Sequence, residues 1–241
     1  MRHSYYRLPL ILLSAFTLFG CSNNPSSSDG GSKEDDPKEI KIACLGDSLT
    51  YGHMWHDESY PVYLSNSLNE DGKYRFEVKN LGINGASITG YGGSWNNPNE
   101  KYQNKAEFRQ CLEFAPDYIF IMLGSNDSSN WDKARLSYVS DYNALIDGIY
   151  DELPDVEIII MISPPVKDNN SFSVPNYNIA NYVNPLQKQI ADDYGLDIID
   201  VAKAFNEHEG GYDSLLRNDG VHFSVSGAQL VANLIVDYLT K

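Results

Sequence analysis

The stretch Ile40-Lys41-Ile42-Ala43-Cys44-Leu45, followed at once by Gly46-Asp47-Ser48-Leu49-Thr50, decides the fold. A short, nearly continuous apolar run reads as a strand covered on both faces, with a serine where the chain turns away. Four more runs share that character: Phe76–Leu81, Tyr118–Leu123, Val156–Ile162 and Asp197–Val201. Between them lie helical patterns near Pro61–Asn69, Lys101–Phe114, Ser137–Leu153 and Asn178–Tyr194. A last helix is expected from about Val225 to Leu239, with Ala228, Val231, Ala232, Ile235 and Leu239 on one face. Strand–helix alternation predicts βαβ units, hence an α/β protein: a three-layer α/β/α sandwich around a five-stranded parallel sheet. Sheets of this kind bind ligands at the carboxyl ends of their strands.

The chain has 241 residues, 42% of them hydrophobic, enough for one sizeable core, which we place in residues 39–241. Its formal charge of −15, from 33 acidic and 18 basic residues, leaves no basic stripe to neutralise a phosphate backbone. A nucleic-acid partner is therefore not expected. Residues 1–20 read as a signal peptide: Arg2 and Arg7 precede an apolar stretch, Leu8–Gly20, too short to span a bilayer. The ending Leu18-Phe19-Gly20-Cys21 resembles a bacterial lipoprotein box, which implies cleavage before Cys21 and lipidation of its thiol. An ordinary secretory signal with an incidental cysteine is the alternative. Residues 21–38 then read as a tether, because Ser22–Lys38 holds no large apolar residue and cannot bury a face. The expected location is the cell envelope, with membrane contact through the lipid. Of the other cysteines, Cys44 falls in a strand pattern and Cys111 in a helical one, with no metal-type spacing.

Four short motifs fall at strand ends or in the loop before the last helix. Gly46-Asp47-Ser48 follows the first strand, and Gly46 permits close backbone approach there; helix capping would use the same residues. Gly85, in Asn80-Leu81-Gly82-Ile83-Asn84-Gly85-Ala86-Ser87, offers an unobstructed backbone amide, though a loop glycine would look alike. Gly124-Ser125-Asn126-Asp127 follows the third strand, where an Asn amide can face a developing oxyanion or simply close a turn. Asp219-Gly220-Val221-His222 can bring a carboxylate to one imidazole nitrogen and leave the other free. A serine needs such an imidazole to take its proton, and the imidazole needs a carboxylate to orient it. His208, in Glu207-His208-Glu209, is a rival base on what reads as a solvated face.

Together these blocks resemble the SGNH or GDSL hydrolase superfamily, over essentially Glu39 to Lys241. The resemblance implies a flavodoxin-like fold and two-step acyl transfer by a serine esterase. Ser48 would be the nucleophile, His222 the general base and then acid, and Asp219 its orienting partner. The backbone amides of Ser48 and Gly85 and the side chain of Asn126 would form the oxyanion hole. No cofactor or metal is required; His53, His56 and Asp57 suggest a pocket rim more than a metal site.

The loop Tyr91–Pro98 is aromatic, polar and glycine-rich, and Trp131 and Tyr177 stand in other strand-end loops. Flat rings among amides suit sugar faces and hydroxyls, so Trp95 and Trp131 are candidate substrate contacts. The Trp95 stretch is similar to GDSL esterases linked to carbohydrate deacetylation. An acetylated glycan or other small ester is the expected substrate. A lysophospholipase or general acyl-esterase, a thioesterase and a non-catalytic glycan-binding lipoprotein are the alternatives.

Overall fold

A computed structural model describes residues 39–70, 74–93 and 95–241. The expected signal peptide, tether and Cys21 lie outside the described residues. The five expected strands form: β1 (Glu39–Gly46), β2 (Arg75–Gly82), β3 (Tyr118–Met122), β4 (Glu157–Met161) and β5 (Asp197–Ile199). They pair in parallel in the order β2-β1-β3-β4-β5.

Alternate residues of β1, β3 and β4 feed two cores. Ile42, Cys44, Phe120, Met122, Ile159 and Met161 pack on one face, with the helices Tyr60–Leu68 and Val225–Leu239. Ala43, Leu45, Ile119, Ile121, Ile158 and Ile160 pack on the other, beneath Ala106–Phe114, Tyr138–Glu152 and Asn184–Tyr194. Burial on both faces is why the strands read as continuous apolar runs rather than alternating ones. The sheet also separates Cys44 from Cys111, which stand in opposite cores as free thiols.

Two helices depart from the sequence expectation. The second helical pattern starts at Ala106, not Lys101, because Tyr102 is drawn into the core. Its hydroxyl donates to the Leu81 carbonyl at 2.7 Å and its amide to Ser87 O at 3.0 Å. The segment before Tyr194 begins at Asn176 and passes through a π-helical turn, Ile179–Val183, just ahead of Pro185. Proline supplies no N–H and its ring crowds the preceding turn, so a wider turn there relieves the clash. The last run also ends early: Asp200 caps a short helix, Val201–Asn206, by accepting from the Lys203 amide.

Gln187, fully buried, ties the ends of β3 and β4 together. It donates to Leu123 O at 2.6 Å and to Ser163 Oγ at 3.1 Å, and accepts from the Ser163 amide at 3.1 Å. Replacing Gln187 with Leu strands these backbone groups, at about 1–3 kcal/mol for each one left unpaired. Urea unfolding should show a correspondingly lower midpoint with an unchanged m-value.

Candidate functional site

The three strands that carry the first motifs finish level: Gly46 stands opposite Gly82 on one side and Met122 on the other. Their exits are therefore adjacent, at the point where the strand order reverses around β1. The turn after β1 is tight. A Cβ on Gly46 would lie 1.9 Å from Thr50 Oγ1, so a larger residue would push the next turn away. Asp47 caps the single helical turn Ser48–Tyr51, accepting from the Leu49 amide at 2.9 Å. Ser48 is left half-buried with its side chain toward the late loop.

In that loop, Asp219 Oδ1 accepts from the amides of Val221 and His222, each at 2.9 Å. Its Oδ2 lies 2.9 Å from His222 Nδ1, and His222 Nε2 lies 3.0 Å from Ser48 Oγ. A carboxylate at Nδ1 requires the ring proton there, which leaves the Nε2 lone pair facing the serine hydroxyl. Burial pushes the Asp219 carboxyl up, but the two amides and the His222 ring outweigh it and hold it below its ordinary value. Burial pushes the His222 imidazole down, helped by His53 and Arg217 and opposed by Asp219; the net shift is down.

Gly85 and Asn126 follow the other two strand exits. Gly85 is left-handed, with φ +77°, in a turn closed by Ala86 N donating to Ile83 O at 3.0 Å. That φ, rather than lack of room, requires glycine, since a Cβ there would meet nothing within 4 Å. Asn126 Nδ2 donates to Ala86 O at 2.9 Å, which joins the two exits and uses one of the amide's two N–H groups. Asp127, fully buried, accepts from the Ile88 amide at 3.0 Å, the Thr89 amide at 2.9 Å and Thr89 Oγ1 at 2.7 Å.

The structure thus brings Ser48, His222 and Asp219 within hydrogen-bond reach of one another, ties Asn126 to the Gly85 loop through Ala86 O, and ties that loop to the end of β1 through Ile83 N and Gly46 O. His208 stands apart, exposed after the helix Val201–Asn206. His53 and His56 diverge: His56 edges onto Tyr51, whereas His53 stacks on His222. Trp95 packs against the core, with Lys105 Nζ 4.2 Å above its ring. Trp131 stacks on Tyr182 and lines a cavity of about 560 Å³ with Ser129, Asn130 and Asn178. Ser129 follows Asn126 within one turn, its amide donating to Asn126 O at 3.0 Å. In the cavity that Ser48 and His222 line, Arg217 lies 3.8 Å over the Trp55 ring and pairs with Glu58. Neither Arg217 nor the His53 stack is marked by any motif in the sequence.

Residues 44–230 match the GDSL-like lipase/acylhydrolase family. The chain belongs to that family. It is 28% identical over 223 residues to an acetylxylan esterase of Xylanibacter ruminicola, covering 83% of this chain and 43% of the relative. It is 26% identical over 216 residues to a multidomain esterase of Ruminococcus flavefaciens, covering 78% of this chain and 27% of the relative. The chain therefore spans less than half the length of either. The fold is shared with a lipase/acylhydrolase from Enterococcus faecalis (TM-score 0.65, 22% identity, 83% of this chain and 95% of that one). An acetyl xylan esterase from Geobacillus stearothermophilus also shares it (TM-score 0.59, 24% identity, 83% and 94% covered).

One carboxyl beneath the site tests its electrostatics directly. Burial, with a contribution from Asp127, pushes Asp47 up to about 7. The folded value lies above the ordinary one, so its stability contribution is complete below about pH 4 and lost as pH rises through about 7. Asp47→Asn keeps the oxygen that accepts from Leu49 and removes the titration. The drop in melting temperature between about pH 5 and about pH 8 should be smaller in the variant.

Proposed function

We propose that this protein is a serine esterase that removes acetyl groups from carbohydrate. The observation that carries the reading is the Ser48–His222–Asp219 relay, at 3.0 and 2.9 Å, beside the Gly85 turn and the Asn126 amide. Ser48 Oγ attacks the ester carbonyl while Nε2 of His222 takes its proton, and Asp219 stabilises the imidazolium that forms. The amides of Ser48 and Gly85 and the second N–H of Asn126 receive the oxyanion, where they count most because they are already in place. His222 then protonates the leaving alcohol. Water, activated by the same ring, releases the acid. No step asks for a cofactor or metal.

Membership of an acylhydrolase family supports the reaction class. Similarity to an acetylxylan esterase and a multidomain esterase supports the acetyl group and the sugar. Locally, the Arg217–Trp55–Glu58 cluster stands beside the serine where a long acyl chain would need an apolar channel. The cleft under Trp131 and Tyr182, with Asn130 and Asn178 in its wall, suits ring faces and hydroxyls. Trp131 is the proposed platform, and Trp95 supports the loop beside it: Asn96 of that loop accepts from Asn130 and Lys133. We further propose that the enzyme works in the cell envelope, held by lipid on Cys21.

Initial rates on p-nitrophenyl acetate, butyrate and octanoate test the reading. The acetate should be hydrolysed fastest, and Ser48→Ala should lose at least about a thousandfold in kcat without loss of fold. Preference for octanoate would favour a lipid esterase, and no turnover of any ester would favour a glycan-binding protein. Replacing Cys21 with Ser should move the protein from membrane to soluble fractions; continued membrane association would count against the lipid.

A further inference from the structure

His53 is not one of the motif residues, yet its ring lies face to face with the ring of His222. The centroids are 4.1 Å apart and the planes 7° from parallel. Phe172 closes the arrangement edge-on, 5.0 Å from His222 and 5.8 Å from His53. The chain reaches this position at a conformational cost, because His53 is left-handed, with φ 38°. Non-glycine residues persist there when the surroundings over-determine them, and such positions cluster at active sites.

Those surroundings are identifiable. The amides of Gly52 and His53 both donate to Ser48 O, at 3.0 and 3.1 Å, so the residue that carries the hydroxyl also fixes the backbone of His53. From the β2 exit, Asn84 Oδ1 lies 3.3 Å from His53 Nδ1 and sets the ring about that bond. Phe172 is brought in by a segment that grips the late loop: the Ser171 amide donates to Asp219 O, and the Lys167 amide to Gly220 O, each at 2.8 Å. The stack is thus tied to both ends of the Ser48–His222 relay.

We infer that His53 is a positioning residue for the general base: its ring braces His222 face to face, and its charge state sets how readily His222 takes the serine proton. The inference rests on the reading of His222 as that base. A neutral ring at 4.1 Å offers its π face to the imidazolium formed during turnover, as cations over aromatic rings are favoured. A charged ring at the same distance opposes it. The other charged groups around His222 are Asp219, on Nδ1, and Arg217, which is paired with Glu58. His53 itself faces Asn84, Trp55 and Phe172 besides His222. His53 is the more exposed of the two rings, and His222 is buried.

Two variants separate the contributions. His53→Phe keeps a stacking ring that cannot take a proton; His53→Gly removes the ring and suits the left-handed backbone. The direct measurement is the titration of His222 followed through its ring resonances by NMR, alongside the pH profile of kcat/KM on p-nitrophenyl acetate. In both variants the His222 midpoint should rise by about 0.5–1 unit, and the acid limb of the profile should rise with it. At the plateau, kcat should fall severalfold in His53→Gly and less in His53→Phe, with KM nearly constant. An unmoved His222 midpoint in His53→Phe would overturn the inference. The NMR titration needs no substrate, so it stands even if the chain proves not to be an acetylesterase.

Discussion

Parallel pairing fixes where strands end, and here it makes β1, β2 and β3 end level, with Gly46 between Gly82 and Met122. Everything in the site depends on that. Ser48, Gly85 and Asn126 are two, three and four residues beyond their strand ends, so each needs only a short turn to reach the others. The turns are correspondingly constrained: one demands the space at Gly46, the other the left-handed backbone at Gly85. A slip of one residue in β1 against either neighbour would also exchange its two buried faces, Ile42 and Cys44 against Ala43 and Leu45. The core therefore enforces the register on which the site relies.

Beneath the exits, two carboxyls are buried with very different support. Asp127 accepts three hydrogen bonds from Ile88 and Thr89, which offset much of the cost of keeping a carboxylate from water; burial still pushes it up to about 6. Asp47, with the Leu49 amide as its partner in the turn, is pushed further, to about 7. Two like charges close together do not ionise independently, and the better-solvated one ionises first. Asp127 thus carries the charge that clamps the Gly85 loop to the Asn126 turn, and Asp47 serves more as a neutral cap. Both are part of the motifs, and both act on geometry rather than on substrate.

Much of this was legible in the sequence because it is local. Apolar runs gave five strands within one or two residues, and the final helix matched from Val225 to Leu239. Ser48 was legible because it sits at a strand exit, where βαβ topology places a site, and Asp219 and His222 because their three-residue spacing can bring a carboxylate to one ring nitrogen. What was not legible depends on tertiary contacts. Tyr102 leaves its helix to reach Leu81, and Pro185 widens the turn before it, although neither alters the periodicity much. Trp95 and Trp131 looked alike as loop tryptophans, yet one packs under Lys105 and the other lines a cavity. His53 looked like a rim residue, because nothing in Gly52-His53-Met54 announces a left-handed backbone or a stacked partner.

Under the proposed reaction, the environment of His222 meets two opposed demands. As the proposed base, His222 is neutral before the reaction and charged during it. Burial, Arg217 and His53 favour the neutral ring at rest. Asp219 favours the charged ring, and it can do so because the Val221 and His222 amides keep its own carboxyl ionised. These influences differ in how they are held. Asp219 is fixed by four short loop contacts, whereas Arg217 is already engaged by Glu58 and Trp55, and His53 is held by its stack on His222 and by Asn84. In the proposed reaction, the attraction that serves the transition state is therefore in place before the proton moves.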